Sequence, residues 1–140
     1  MIVLDTNVLS ELMRRQPAAR VVTWVDEQAA DGLAVTAITV AELLHGVARL
    51  SRGARKTELA AAVAALVHED FSGRVLPFDC EAAEHYADVV AERERQGRPI
   101  STADAQIAAI SRCRGAVLAT RNVRDFEATG IEVLDPWKQN

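Results

Sequence analysis

Lysine is almost missing from this chain: of its 16 basic residues only Lys56 and Lys138 are lysines, and the rest are arginine. With 20 acidic residues the net charge is −4, so the broad positive field of a protein that coats nucleic acid is absent. Arginine's planar fork suits phosphate, yet a GC-rich coding bias, which also accounts for the many Ala and Val, explains most of these arginines. Cysteine is equally scarce. Cys80 and Cys113 stand far apart with no C-x-x-C spacing, and each is expected to be a reduced, half-buried core thiol. His45, His68 and His85 show no ligand spacing and read as surface or core histidines. Long apolar runs are lacking too; no segment reaches the roughly 18 residues of a membrane span. Asp5 falls where a signal peptide needs its basic and apolar stretches, so a cytoplasmic location is expected.

What is present suits a folded α/β domain. The composition is 49% hydrophobic and 26% charged, in a length that fits one domain over residues 1–140. No repeat, low-complexity tract or linker interrupts it. Short apolar runs alternate with segments of helical period, which argues for a parallel sheet of about five short strands with helices on both faces. Ile2-Val3-Leu4 is the first strand, Leu33-Ala34-Val35 the second, Arg74 to Phe78 the third, Ala116 to Ala119 the fourth and Ile131 to Leu134 the last. Pro77 places the third at an edge or a strand end. A first helix is expected to about Arg15 and a second opened by Pro17 and ended by Asp31-Gly32. A third starts near Thr36, with Ile38, Leu43, Leu44, Val47 and Leu50 inward. A fourth covers Leu59 to Val67, a fifth is capped by Asp79, and a sixth starts at Pro99 to Asp104. The run Glu92-Arg93-Glu94-Arg95 reads as a solvated face.

Acids fall at particular places in this alternation. Asp5 ends strand one, Glu42 lies in the first turns after strand two, Asp104 starts the sixth helix, and Asn122 and Asp125 follow strand four. In a parallel α/β sheet, strand carboxyl ends and the starts of the helices after them share one rim; Asp104 joins that rim only if its helix start also faces it. Carboxylates converging there repel one another unless a cation intervenes. Oxygen ligands suit Mg²⁺ or Mn²⁺, an arrangement that activates water against a phosphodiester. A purely structural reading stands beside this one. Thr39-x-x-Glu42 and Ser101-x-x-Asp104 fit the capping-box pattern, and Asp5 suits a helix cap. The residues alone leave both readings open.

The stretches Ile2-Val-Leu-Asp5-Thr-Asn7-Val-Leu-Ser-Glu11, Thr36-Ala-Ile-Thr39-Val-Ala-Glu42-Leu, Ile100-Ser-Thr-Ala-Asp104-Ala-Gln-Ile-Ala108 and Leu118-Ala-Thr120-Arg-Asn122-Val-Arg-Asp125-Phe126 together resemble the motifs of PIN-domain nucleases, in order and across nearly the whole chain. With the ending Val133-Leu134-Asp135-Pro136-Trp137 the likeness is to VapC toxins of the FitB-like branch. The resemblance implies a Mg²⁺- or Mn²⁺-dependent endoribonuclease in which metal-activated water leaves a 3′-hydroxyl and a 5′-phosphate on an RNA such as tRNA. It assigns Asp5, Glu42 and Asp104 as the acidic metal-binding set, with Thr6 and Thr120 as supporting hydroxyls. The fourth position falls to Asp125 as an acid or to Asn122 through its carbonyl oxygen. It further implies a homodimer held by a VapB-like antitoxin that blocks the acidic site. Arg14, Arg15, Arg49, Arg52, Arg121 and Arg124 could line an RNA path, and each also reads as part of a solvated helix end.

Two rivals fit less well. A haloacid-dehalogenase-type phosphatase wants a second acid where Asn7 stands, and a receiver domain wants a Lys after its last strand, where this chain has Asp135-Pro136. A non-catalytic PIN-fold module acting through its partner is the remaining alternative; the retained Asp5, Glu42 and Asp104 speak against it.

Overall fold

A computed structural model describes residues 1–139. Five parallel strands lie in the order β3-β2-β1-β4-β5: β1 Ile2–Leu4, β2 Leu33–Thr36, β3 Val75–Leu76, β4 Val117–Ala119 and β5 Val133–Leu134. Side chains of a strand alternate between faces, and here the alternation divides the core in two. Leu4, Leu33, Val35 and Ala119 face one apolar cluster with Val8, Val21, Trp24, Leu43 and Val63 from helices α1 (Thr6–Leu12), α2 (Ala19–Asp26), α3 (Ala37–Ala48) and α4 (Ala54–Ala65). Val3, Ala34 and Leu118 face the other, with Val89, Ile107 and Ile110 from α5 (Cys80–Arg95) and α6 (Thr102–Cys113). Helices thus cover both faces, as the apolar strand runs require.

The strand order decides where a ligand fits. From β1 the chain moves outward through β2 to β3, then returns to β4 on the other side of β1. The order reverses between β1 and β4, and the crevice beyond such a pair is the usual binding place in an open α/β sheet. A receiver-type sheet runs 2-1-3-4-5, so that rival fails on topology. Both edges are short: β3 has two residues and ends at Pro77, and β5 also has two. Short edges leave little backbone for another chain to pair with.

Several expected boundaries move. The first helix stops at Leu12. The second begins at Ala19, after Pro17, and ends at Asp26; Asp31 and Gly32 belong to a separate 3₁₀ turn, Ala30–Gly32. Helix α4 starts at Ala54 and finishes in a wider π-type turn, Leu66–Asp70. Leu44 points to solvent at 52% exposure, since it sits one position beyond the inward Leu43. Cys80 is exposed at the start of α5, and Cys113 is the half-buried thiol of the two. Arg93 is the largest departure: it is buried at 5% exposure inside the run expected to be solvated.

Candidate active site

Asp5 is the first residue past β1. Its N–H donates to Ala119 O at 2.9 Å, extending the ladder to β4 by one bond. Its extended backbone then turns into α1, and Oδ1 accepts the Thr6 N–H at 2.8 Å as a helix cap. Oδ2 accepts from the Thr120 hydroxyl at 2.7 Å and from Asn7 Nδ2 at 3.2 Å. Thr120 follows β4, so the two strands at the crevice are tied together through this carboxylate. Asn7 Nδ2 also reaches Thr120 Oγ1 at 3.0 Å, while its Oδ1 accepts the Arg121 N–H at 3.1 Å.

Helix α3 brings the second acid. Thr36 Oγ1 caps it, accepting the Thr39 N–H at 3.1 Å; Thr39 is therefore inside the helix and does not cap it. Glu42, one turn further, accepts from the Thr6 hydroxyl at 2.7 Å, and that hydroxyl lies 3.0 Å from Thr39 Oγ1. The third acid comes with α6. Ser101 Oγ accepts the Asp104 N–H at 3.2 Å, the cap expected from the sequence.

These residues line one cavity of about 480 Å³, walled by Asp5, Thr6, Asn7, Ser10, Glu11, Arg14, Glu42, Asp104, Arg121, Asn122 and Trp137. The start of α6 therefore faces the rim. Asn122 joins the wall, and its N–H donates to Thr120 Oγ1 at 3.1 Å. Asp125 does not line the cavity; it sits in the 3₁₀ turn Val123–Phe126, exposed, with its negative charge felt at Asp104. A second groove of about 490 Å³ adjoins through Thr6, Ser10 and Glu42 and runs between α1, α3 and α4.

The electrostatics are those of crowded acids. Burial pushes Asp5 up to about 6, against the pull of the Thr120 and Thr6 hydrogen bonds, and the Asp104 and Glu42 charges add to the rise. Asp104 is also raised, again first by burial and then by Asp125 and Glu42. A cation between them relieves that repulsion. Among the described residues no three acids, histidines or cysteines stand close enough to enclose an ion by themselves. The donor set still fits a hard ion that keeps several waters, since Mg²⁺ binds through one or two carboxylates, waters and substrate phosphate.

Three participants carried no clear signal in the sequence. Asn7 was readable only as part of a motif, yet it holds both Asp5 and Thr120. Glu11 is buried; it accepts the Ala18 N–H at 3.0 Å and pairs with Arg14 at 3.2 Å. Trp137 packs beneath Arg121, whose guanidinium lies 5.0 Å from the ring centroid.

The PIN domain family model matches residues 2–132. The chain belongs to the PIN-domain family. Within it, this PIN protein is 43% identical to VapC ribonuclease Y4jK of Sinorhizobium fredii over 99% of both chains. It is 41% identical to toxin FitB of Neisseria gonorrhoeae over 98% of this chain and 99% of that one. A chain of the structure of FitAB bound to the IR36 DNA fragment superposes with a TM-score of 0.94 at 39% identity, covering 100% of this chain and 98% of that one. The expected PIN fold and the likeness to the VapC and FitB toxins are thereby borne out.

Proposed function

We propose that this PIN protein, acting as one unit over residues 1–140, is the toxin of a type II toxin–antitoxin pair and a Mg²⁺- or Mn²⁺-dependent endoribonuclease. Relatives named as ribonucleases, among them a tRNA(fMet)-specific endonuclease VapC of Shigella flexneri at 32% identity, support RNA as the substrate. The observation that carries the reading is the meeting of Asp5, Glu42 and Asp104, from three different crossovers, in one cavity at the β1–β4 crevice. A divalent ion bound there would activate water and neutralise charge on the phosphodiester, and the family resemblance implies cleavage to a 3′-hydroxyl and a 5′-phosphate. Asp5, Glu42 and Asp104 are the residues that would hold it, directly or through its waters, with the Asn122 carbonyl oxygen as a further donor. Asp125 adds negative charge behind Asp104 without lining the cavity.

The chain's own part is orientation. Three hydrogen bonds fix the rotamer of Asp5, and the Thr6 hydroxyl fixes Glu42. Thr120 keeps its proton directed at Asp5 Oδ2, and Oδ1, which accepts only the Thr6 N–H, retains a lone pair that an ion could take. The protein works in the cytoplasm as a homodimer, with a VapB-like antitoxin covering the acidic cavity. No described helix is long and apolar enough to cross a membrane.

The test is cleavage of a small-RNA pool by partner-free protein in Mn²⁺, Mg²⁺ or EDTA, with Asp5→Asn alongside. Metal-dependent cuts that disappear in the variant are expected. Cuts that persist in EDTA would overturn the metal dependence. Folded protein that cuts nothing in either metal would leave a binding module that works through its partner.

A further inference from the structure

We infer that Arg121 is an anion subsite for an RNA phosphate next to the acidic cavity, held ready by Trp137 and Asn7. The inference rests on the ribonuclease reading above and names a residue that positions its substrate. Two cations line the cavity, Arg14 and Arg121. Arg14 is engaged by the buried Glu11 carboxylate at 3.2 Å. Arg121 has no carboxylate partner among the described residues, although it shares a wall with four acids, Asp5, Glu11, Glu42 and Asp104. It is the cation there that remains available to an incoming anion.

Its place is fixed at both ends. The backbone N–H donates to Asn7 Oδ1, and Asn7 also holds Asp5. The guanidinium lies over the Trp137 ring at 5.0 Å. Trp137 is itself anchored: its N–H donates to Asp135 Oδ1 at 2.9 Å, its carbonyl accepts from Arg20 Nη1 at 3.1 Å, and the 3₁₀ turn Pro136–Lys138 packs against α2. A guanidinium resting on an indole keeps its N–H edge free. Holding that edge in advance lowers the entropy cost of gripping a phosphate. RNA bears a phosphate on each side of every nucleotide, so the acids receive the scissile phosphate while Arg121 takes a neighbouring one. If the stack only closed the C-terminal turn, its loss would lower stability and leave substrate affinity alone.

The experiment is steady-state cleavage of a short single-stranded RNA carrying a mapped cut site, over a salt series, with partner-free protein in Mn²⁺. Wild type, Arg121→Gln, Arg121→Lys, Trp137→Leu and Trp137→Phe are compared, each checked by Tm and by Mn²⁺ binding. Arg121→Gln is expected to raise KM about 10-fold, the scale of one charge-assisted hydrogen bond, with kcat within about 2-fold. The slope of log(kcat/KM) against log[salt] should become shallower by about 0.7, one phosphate contact on a single strand. Arg121→Lys and Trp137→Leu should fall between, and Trp137→Phe, which keeps an aromatic face, should restore KM. Unchanged KM and salt slope in Arg121→Gln would overturn the subsite, as would a loss confined to kcat or to Mn²⁺ binding. A wild-type protein that cuts no RNA would instead overturn the ribonuclease reading, and that result is visible before any variant is compared.

Discussion

Asp5 carries two demands that conflict in the absence of a cation. It caps α1 and joins β1 to β4, which buries it to 4% exposure. Burial favours the protonated acid and raises it from 3.8 to about 6. The native state therefore holds more protons than the unfolded chain between those values, and stability falls as pH rises through that window. Across 2.2 units the change is about 3 kcal/mol, at about 1.36 kcal/mol per unit. Asp5→Asn does not titrate, so its stability relative to wild type isolates the effect from every other group. In metal-free protein, urea melts at pH 4 and pH 7 should show the difference moving by about 2 kcal/mol in the variant's favour, since the unfolded carboxyl is already partly ionised at pH 4. A difference independent of pH would mean that Asp5 titrates alike in the folded and unfolded chain, and that burial does not raise it. The sequence showed the position of Asp5 and its helix cap, because an apolar run ending on an acid is a local pattern. It did not show Asn7 as the hinge of the network, because that role depends on Thr120, 113 residues away.

At the scale of elements, local chemistry was readable where the cap is local. Asp79 and Ser101 both accept the N–H three residues on, at 3.0 and 3.2 Å. Helix α2 failed that test for a tertiary reason. Its first turn has no side-chain cap of its own, and the Ala18 N–H finds Glu11 across the turn from α1. Pro17 therefore stays outside the helix. Arg93 was misread on similar grounds. Charge runs on helices are usually solvated, but two loops fold back over this one. Its guanidinium donates to Arg98 O at 2.6 Å, Pro99 O at 3.4 Å, Asp125 O at 2.7 Å and Glu127 O at 3.0 Å. It thereby clamps the α5–α6 loop, which leads to Asp104, to the turn that carries Asp125. Arg93→Met keeps the length and strips these donors, leaving buried carbonyls unpaired at about 1–3 kcal/mol each where water cannot replace them. We expect a loss of about 3 kcal/mol in urea melts. Amide exchange should quicken first at residues 98–104 and 122–127. Uniform acceleration over the whole chain would show that the clamp is not local.

The whole molecule explains why the site exists only in the fold. Residues 5, 42 and 104 reach one cavity because β1 lies beside β2 and β4 and because α6 starts at the same rim. The alternating pattern made this rim legible, and the strand order then selected the β1–β4 crevice as its centre. An unfolded chain scatters the three acids, so a divalent ion taken up as proposed would bind the native state alone and would stabilise it by RT ln(1 + [L]/Kd), about 2.7 kcal/mol at 100 times Kd. The cap and metal readings of Asp104 part company here. As a first-turn charge alone, Asp104 contributes about 0.3–1 kcal/mol, and Asp104→Asn would lower Tm equally with and without Mn²⁺. As an ion ligand, its replacement removes the Mn²⁺-induced rise in Tm and abolishes RNA cleavage, while the metal-free variant melts near the metal-free wild type because Ser101 still caps α6. Thermal melts of wild type and Asp104→Asn, each with EDTA and with saturating Mn²⁺, separate the two. An undiminished Mn²⁺ shift in the variant would remove Asp104 from the metal set and leave it a helix-start charge.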